Sequence, residues 1–143
     1  ISKENKLLYL RVLIHIIEDV PEPMHTAPTD AKGGNDFKVN WFNNPTNLHS
    51  IWDSQLIDFQ QLSYTEYAAA INHTTATQRQ EWQKAPVAQW LYESNRIAEK
   101  LYTEIKPGDT LNYKYNFTHF DTLNQQLLKA GVRLAGVLNG IFG

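Results

Sequence analysis

The chain has no cysteine among its 143 residues. Disulfides and thiolate metal sites are therefore excluded, and any metal must be held by histidine, carboxylate or backbone oxygen. There is no surplus of positive charge either: 13 Lys and Arg stand against 15 Asp and Glu, a formal net charge of -2. A duplex-DNA binder that neutralises many phosphates needs a strongly basic balance, and this is not one. If the chain handles nucleic acid, something other than bulk charge holds the phosphates. No long apolar run is present. The longest, Val12 to Ile17, is broken by His15, far short of the ~20 residues that cross a bilayer. With 7 Gly and 6 Pro, collagen-like and low-complexity chains are excluded as well.

What is present suits one compact domain. Hydrophobic residues make up 42% of the chain, and a chain of this length can bury roughly 68–70% of its unfolded surface. No leader pattern is visible, because Ile1 to Lys6 lead straight into a helical pattern, as expected of a mature form or a piece of a longer chain.

The first segment, from Leu7 to Ile17, is apolar nearly all round and predicts a buried central helix ending by Val20, before Pro21 and Pro23. Gly33-Gly34 marks a tight turn, and Phe37, Val39 and Trp41 alternate with polar residues in a short strand. Asn47 predicts the N-cap of a second helix running to about Phe59, and Ser63 with Glu66 a capping box for a third. Short helical spacing follows from Gln78 to Lys84. Longer helices are predicted from Val87 to before Pro107 and from about Asp121 to Ile141. The fold class is mainly α, a helical bundle with a short irregular hairpin.

Three of five histidines fall in one pattern. His15 and Asp19 are four apart on the first helix, His49 and Asp53 four apart on the second, and His25 follows the Pro21-to-Pro23 break. Residues four apart share a helix face, so each pair projects together. A single such pair is usually a surface ion pair or a satisfied core histidine. Two pairs plus a third His supply five nitrogen and oxygen ligands, a mixture zinc accepts with a position left for water. Asp19 on an apolar, buried helix would in addition require a cation, since an unpaired buried charge is costly. Asn35 follows two glycines and either approaches the cleft or serves as a hairpin turn residue. Trp41, Phe42 and Trp52 read first as core and second as a stacking face for bases. His73 and His119 lie outside the pattern and read as surface residues.

The blocks from His15 to His25, Gly33-Gly34-Asn35 and Asn47-Leu48-His49-Ser50-Ile51-Trp52-Asp53 resemble the zinc-dependent single-strand nucleases, whose prototypes are the fungal S-one and P-one types. The resemblance continues through Leu62 to Tyr67 and Trp90 to Ser94 and into the closing helix from Gln126 to Ala135, much as in bacterial members. It implies a helical fold of the zinc nuclease and zinc phospholipase C type, with up to three zinc ions at the bottom of a cleft. His15 would then ligate one zinc, Asp19 would bridge it to another, and His25, His49 and Asp53 would hold the remaining one. A metal-bridged water would hydrolyse single-stranded RNA and DNA to 5′-phosphorylated products, with 3′-nucleotidase activity beside it. Secretion or a periplasmic location is implied in the same way.

The chain also departs from the family pattern. Glu18 stands where Gly is usual before the bridging Asp, and Pro21-Glu22 replaces a polar pair expected to lie behind the ligands. The family's N-terminal Trp, with the His and Asp ligands of its first half, has no counterpart before His15. Residues 1–143 thus resemble the C-terminal portion of one domain, and the N-terminal portion, or self-association, is expected to cover the apolar first helix. Two rival readings remain: a zinc phospholipase C-like phosphodiesterase, and a non-enzymatic helical fragment with one structural zinc.

Overall fold

A computed structural model describes residues 1–143, except for the side chains of residues 29 and 30. Helix α1 (Lys3–Asp19) opens at Ser2, whose hydroxyl accepts the Asn5 backbone N–H, and it closes two residues before Pro21. A 3-10 turn (Pro23–Thr26) and a second one (Thr29–Gly34) carry the chain to strand β1 (Lys38–Trp41). β1 pairs antiparallel with β2 (Asn44–Asn47), from Lys38 opposite Asn47 to Trp41 opposite Asn44, and parallel with β3 (Thr110–Leu111). Phe42 turns the hairpin in the left-handed region, at φ +54.

Asn47 caps the next helical stretch as its sequence predicts, with its side chain accepting the Ser50 N–H at 2.9 Å. That stretch is three pieces end to end: α2 (Leu48–Ser50), a π-helical turn (Ile51–Gln55) and α3 (Leu56–Asp58). The capping box of Ser63 and Glu66 opens α4 (Tyr64–Ile71), and a second one, Thr75 with Gln78, opens α5 (Ala76–Lys84). The long helices α6 (Val87–Glu104) and α7 (Tyr113–Phe142) complete the bundle. The core forms where Leu48, Ile51, Trp52 and Leu56 meet Met24, Val39 and the inner faces of α6 and α7 at Ala98, Leu101 and Leu123. The mainly α fold with a short hairpin is as the sequence predicts.

Two elements differ from the sequence reading. Helix α1 is not the buried centre of the bundle: only Ile17 is buried, while Leu7, Leu8, Val12 and Ile16 are about half exposed. Its main packing is along α7, and much of the rest of its apolar surface stays exposed. Helix α7 begins eight residues earlier than predicted. Its inward row contains Tyr115, His119, Gln126 and Arg133 beside Leu123 and Ala130, so a search for apolar periodicity loses its first two turns. His119 is accordingly not a surface residue; it is buried, 3.2 Å from Glu104.

Candidate metal centre

The proline break after α1 and the cap at Asn47 bring two distant segments face to face. His25, in the 3-10 turn behind Pro23, lies with its ring centroid 5.2 Å from that of His49. Asp53 reaches both: its Oδ1 is 3.6 Å from His25 Nε2 and its Oδ2 is 3.7 Å from His49 Nε2. The donor atoms of these three residues all lie within 4.8 Å of one another. Such separations are too long for hydrogen bonds. Tetrahedral zinc with bonds of about 2.0–2.1 Å sets its ligands about 3.3 Å apart, so the two imidazole-to-Asp53 separations already approach the spacing a bound ion requires.

The tautomer of His49 is settled by its neighbour. Its Nδ1 lies 2.8 Å from the Gly33 carbonyl oxygen, which can only accept, so Nδ1 carries a proton and in the neutral imidazole Nε2, on the side of Asp53, is the nitrogen with the free lone pair. An imidazole held this way by its far nitrogen is the usual arrangement of a metal-binding histidine. The glycine pair makes this approach possible. Gly33 and Gly34 have φ of +61 and +85; a Cβ on Gly33 would meet the Met24 carbonyl oxygen at 2.6 Å, and one on Gly34 the His49 nitrogen at 2.9 Å.

His15 and Asp19 join the same cluster from α1. Asp19 Oδ2 is 3.2 Å from His15 Nε2 and its Oδ1 is 3.6 Å from His25 Nδ1, so Asp19 stands between the two imidazoles. All five residues therefore form one chain of contacts. The argument that Asp19 needs a cation because it is buried does not hold, since its side chain is 40% exposed and that of His15 73% exposed. Glu18 is exposed. Asn35 is exposed on the glycine turn, its side-chain amide donating to the Lys32 carbonyl at 3.1 Å. Of the three aromatics, Trp52 is core, whereas Trp41 and Phe42 are half-buried in an edge-to-face group with Phe59 and Tyr113.

The site holds one carboxylate whose depth the sequence does not reveal. Glu22 accepts the His25 backbone N–H at 2.8 Å with Oε2, which also lies 3.9 Å from His25 Nε2, and its Oε1 is buried with no protein partner. Burial, opposed by that hydrogen bond and aided by the charges of Asp53 and Asp19, pushes its carboxyl up to about 8. Its place directly after a proline and three residues before a ligand was the available signal. A cleft of about 180 Å³ opens here, with Asp19, Glu22, His25 and Asp53 on one wall and Ile57 and Leu123 on the other. A roomier groove of about 410 Å³ between α4, α5 and α7 has Arg79 as its charged residue and offers no ligand set.

Comparison with known proteins identifies the family. The family model described as S1/P1 Nuclease matches residues 1–143. Endonuclease 2 of Arabidopsis thaliana is 32% identical over 159 residues, covering 99% of this chain and 54% of that protein. Nuclease P1 of Penicillium citrinum is 30% identical over 168 residues, covering 100% of this chain and 61% of that protein. The chain thus spans about half the length of the curated relatives it matches.

Proposed function

The chain belongs to the S1/P1 nuclease family, and from that premise we propose that it carries part of the active site of a zinc-dependent nuclease acting on single-stranded RNA and DNA. The observation that carries this reading is the convergence of His25, His49 and Asp53, with His49 turned by Gly33 so that Nε2 faces the shared point. These three residues would hold one zinc. His15 would help to hold another zinc, which Asp19, between His15 and His25, would bridge to a third. Bound zinc supplies an activated water at neutral pH and positive charge against the phosphodiester oxygens. A chain with a formal charge of -2 would thereby hold a polyanion without a basic patch.

The protein's own groups do the rest. Asp53 and Asp19 bring the negative charge that balances the metals, and Glu22 holds the His25 backbone in place. Asn35, exposed two residues beyond Gly33, would contact substrate. Products would carry 5′-phosphates, and mononucleotides with a 3′-phosphate would be substrates too. The remainder of the protein would supply the other ligands and cover the exposed face of α1, whose Leu7, Leu8, Val12 and Ile16 otherwise meet water. A secreted or periplasmic location fits this class of enzyme, and among the described residues no helix is long and apolar enough to cross a membrane.

The relatives are endonucleases and nucleases by name, which favours nucleic acid over a phospholipid as substrate. The test is zinc content by elemental analysis with intact mass on the same sample, followed by digestion of single- and double-stranded oligonucleotides with and without chelator. Zinc-dependent cleavage of the single strands is expected. Zinc without cleavage would leave a structural metal, and hydrolysis of a phosphatidylcholine analogue in its place would move the protein to the phospholipase branch.

A further inference from the structure

The ligand-bearing stretch between His49 and Asp53 is not regular α-helix. The Leu56 N–H bonds to the Ile51 carbonyl, five residues back, and the turn from Ile51 to Gln55 is π-helical. A π turn inserts a residue relative to the α-helix and frequently occurs at functional sites. Asp53 itself is exposed, with His25 and His49 as its ion-pair partners, so its own surroundings hold the turn less firmly than a buried anchor would.

The residue beside Asp53 provides that anchor. Trp52 points the other way, into the core, and is 1% exposed. Its indole N–H donates to the hydroxyl of Tyr115 on α7 at 2.9 Å. Tyr115 is held in turn: its ring packs on the His119 imidazole with centroids 4.2 Å apart, and His119 Nε2 lies 3.2 Å from Glu104 of α6. A fixed buried acceptor determines how far the indole can rotate, and the backbone that carries the indole carries Asp53.

We propose that Tyr115 is a positioning residue of the metal centre, its hydroxyl fixing through Trp52 the π turn that aims Asp53 at His25 and His49. The inference rests on the reading of those three residues as a metal centre. No part of Tyr115 touches them. Its action is through the orientation of one ligand, so its loss weakens metal binding without removing a ligand. Outer partners of metal ligands commonly change affinity by about 10–100-fold when removed, and this partner, one bond further out, is expected at the lower end.

The experiment compares Tyr115→Phe with Tyr67→Phe in the full-length protein. Tyr67 is the control: its residue is as little exposed, 6% against 8% for Tyr115, and its hydroxyl donates to Asn124 of the same helix α7 at 2.7 Å instead of meeting Trp52. Zinc affinity is read by chelator competition, ligand geometry by the visible spectrum of the cobalt-substituted protein, and folding by thermal melts of the metal-free forms. Tyr115→Phe should bind zinc about tenfold more weakly and shift the cobalt bands, while Tyr67→Phe keeps the wild-type values at a similar melting temperature. Trp52→Phe, which removes the donor, should reproduce the weakening, and the double variant should be no weaker than either single one. Should Tyr115→Phe fail to fold, Trp52→Phe carries the same readouts. Wild-type zinc affinity and spectrum in Tyr115→Phe, or equal losses in Tyr67→Phe, would overturn the proposal. A wild-type protein that takes up no cobalt or zinc would overturn the metal reading beneath it.

Discussion

The Gly33 carbonyl oxygen lies 2.8 Å from Nδ1 of His49, sixteen residues further along the chain, and this one contact decides which nitrogen of the imidazole is free. It ties the glycine turn to the ligand set. The backbone must pass so close to His49 and Met24 that neither Gly33 nor Gly34 has space for a side chain.

Replacing Gly34 by alanine should therefore weaken both fold and site. The new Cβ would sit 2.9 Å from the His49 nitrogen at a φ of +85, a strain of order 1–3 kcal/mol. A lower melting temperature and about 10–100-fold weaker zinc binding are expected. Calorimetry with and without zinc checks both together.

His49→Ala should empty the position shared with His25 and Asp53. Bound zinc per protein should fall by one and cleavage of single strands should fall with it. In the wild type, zinc at about 100 times its dissociation constant should add about 2.7 kcal/mol of stability, an increment His49→Ala lacks. Unchanged zinc content in the variant would remove His49 from the ligand set.

Glu93 is the counter-ion of a buried guanidinium. Arg133, 1% exposed, donates from Nη2 to Glu93 Oε2 at 2.7 Å and lies over the Trp90 ring; Lys129 Nζ approaches the same oxygen at 3.1 Å. Partial burial works to raise the Glu93 carboxyl, but the two cationic donors overrule it and hold it below its ordinary 4.5. Removing one partner of a buried pair costs about 3–5 kcal/mol, so Glu93→Ala should lower stability by an amount at the lower end of that range, given the carboxylate's partial exposure. Because the folded-state value is lowered, this stability is present at neutral pH and is lost as pH falls below 4.5. Chemical denaturation at pH 7 and pH 4 measures the difference.

His119 gives stability the same sign at a higher pH. Desolvation lowers its affinity for a proton, aided by the Lys100 charge and opposed by Glu104; the neutral Tyr115 phenol lies against its other side. A histidine depressed below its ordinary 6.5 stabilises the fold above that pH, and the contribution is lost as pH falls through and beneath it. The fall in melting temperature between pH 7 and pH 5 should be shallower in His119→Gln than in the wild type. An unchanged slope would assign the acid sensitivity elsewhere.

The exposed face of α1 makes a prediction about residues 1–143 produced alone. Leu7, Leu8, Val12 and Ile16 present a contiguous apolar strip 46–54% exposed, and such strips associate in water. Light scattering should show oligomers that Leu8→Glu with Val12→Glu disperses. A monomer with the native strip would mean that the face needs no cover.

Much of this protein is written in short-range signals. Asn47 caps its helix, Ser63 and Glu66 close their box, and Pro21 stops α1, because each acts on backbone groups three or four residues away. The candidate site was legible for the same reason: His15 with Asp19 and His49 with Asp53 are paired by helical spacing, and the glycine pair announces a left-handed turn. The tertiary structure decided the rest. Whether α1 lies inside or outside depends on what packs against it, and its apolar sequence is the same either way. His119 was read as a surface residue because its own residue type suggests solvent, and its burial beside Glu104 depends on how α7 meets α6. The His49 tautomer and the Trp52–Tyr115 anchor each join segments 16 and 63 residues apart. Local hydrogen bonding is encoded by the nearest residues; burial and orientation are fixed only when distant surfaces meet.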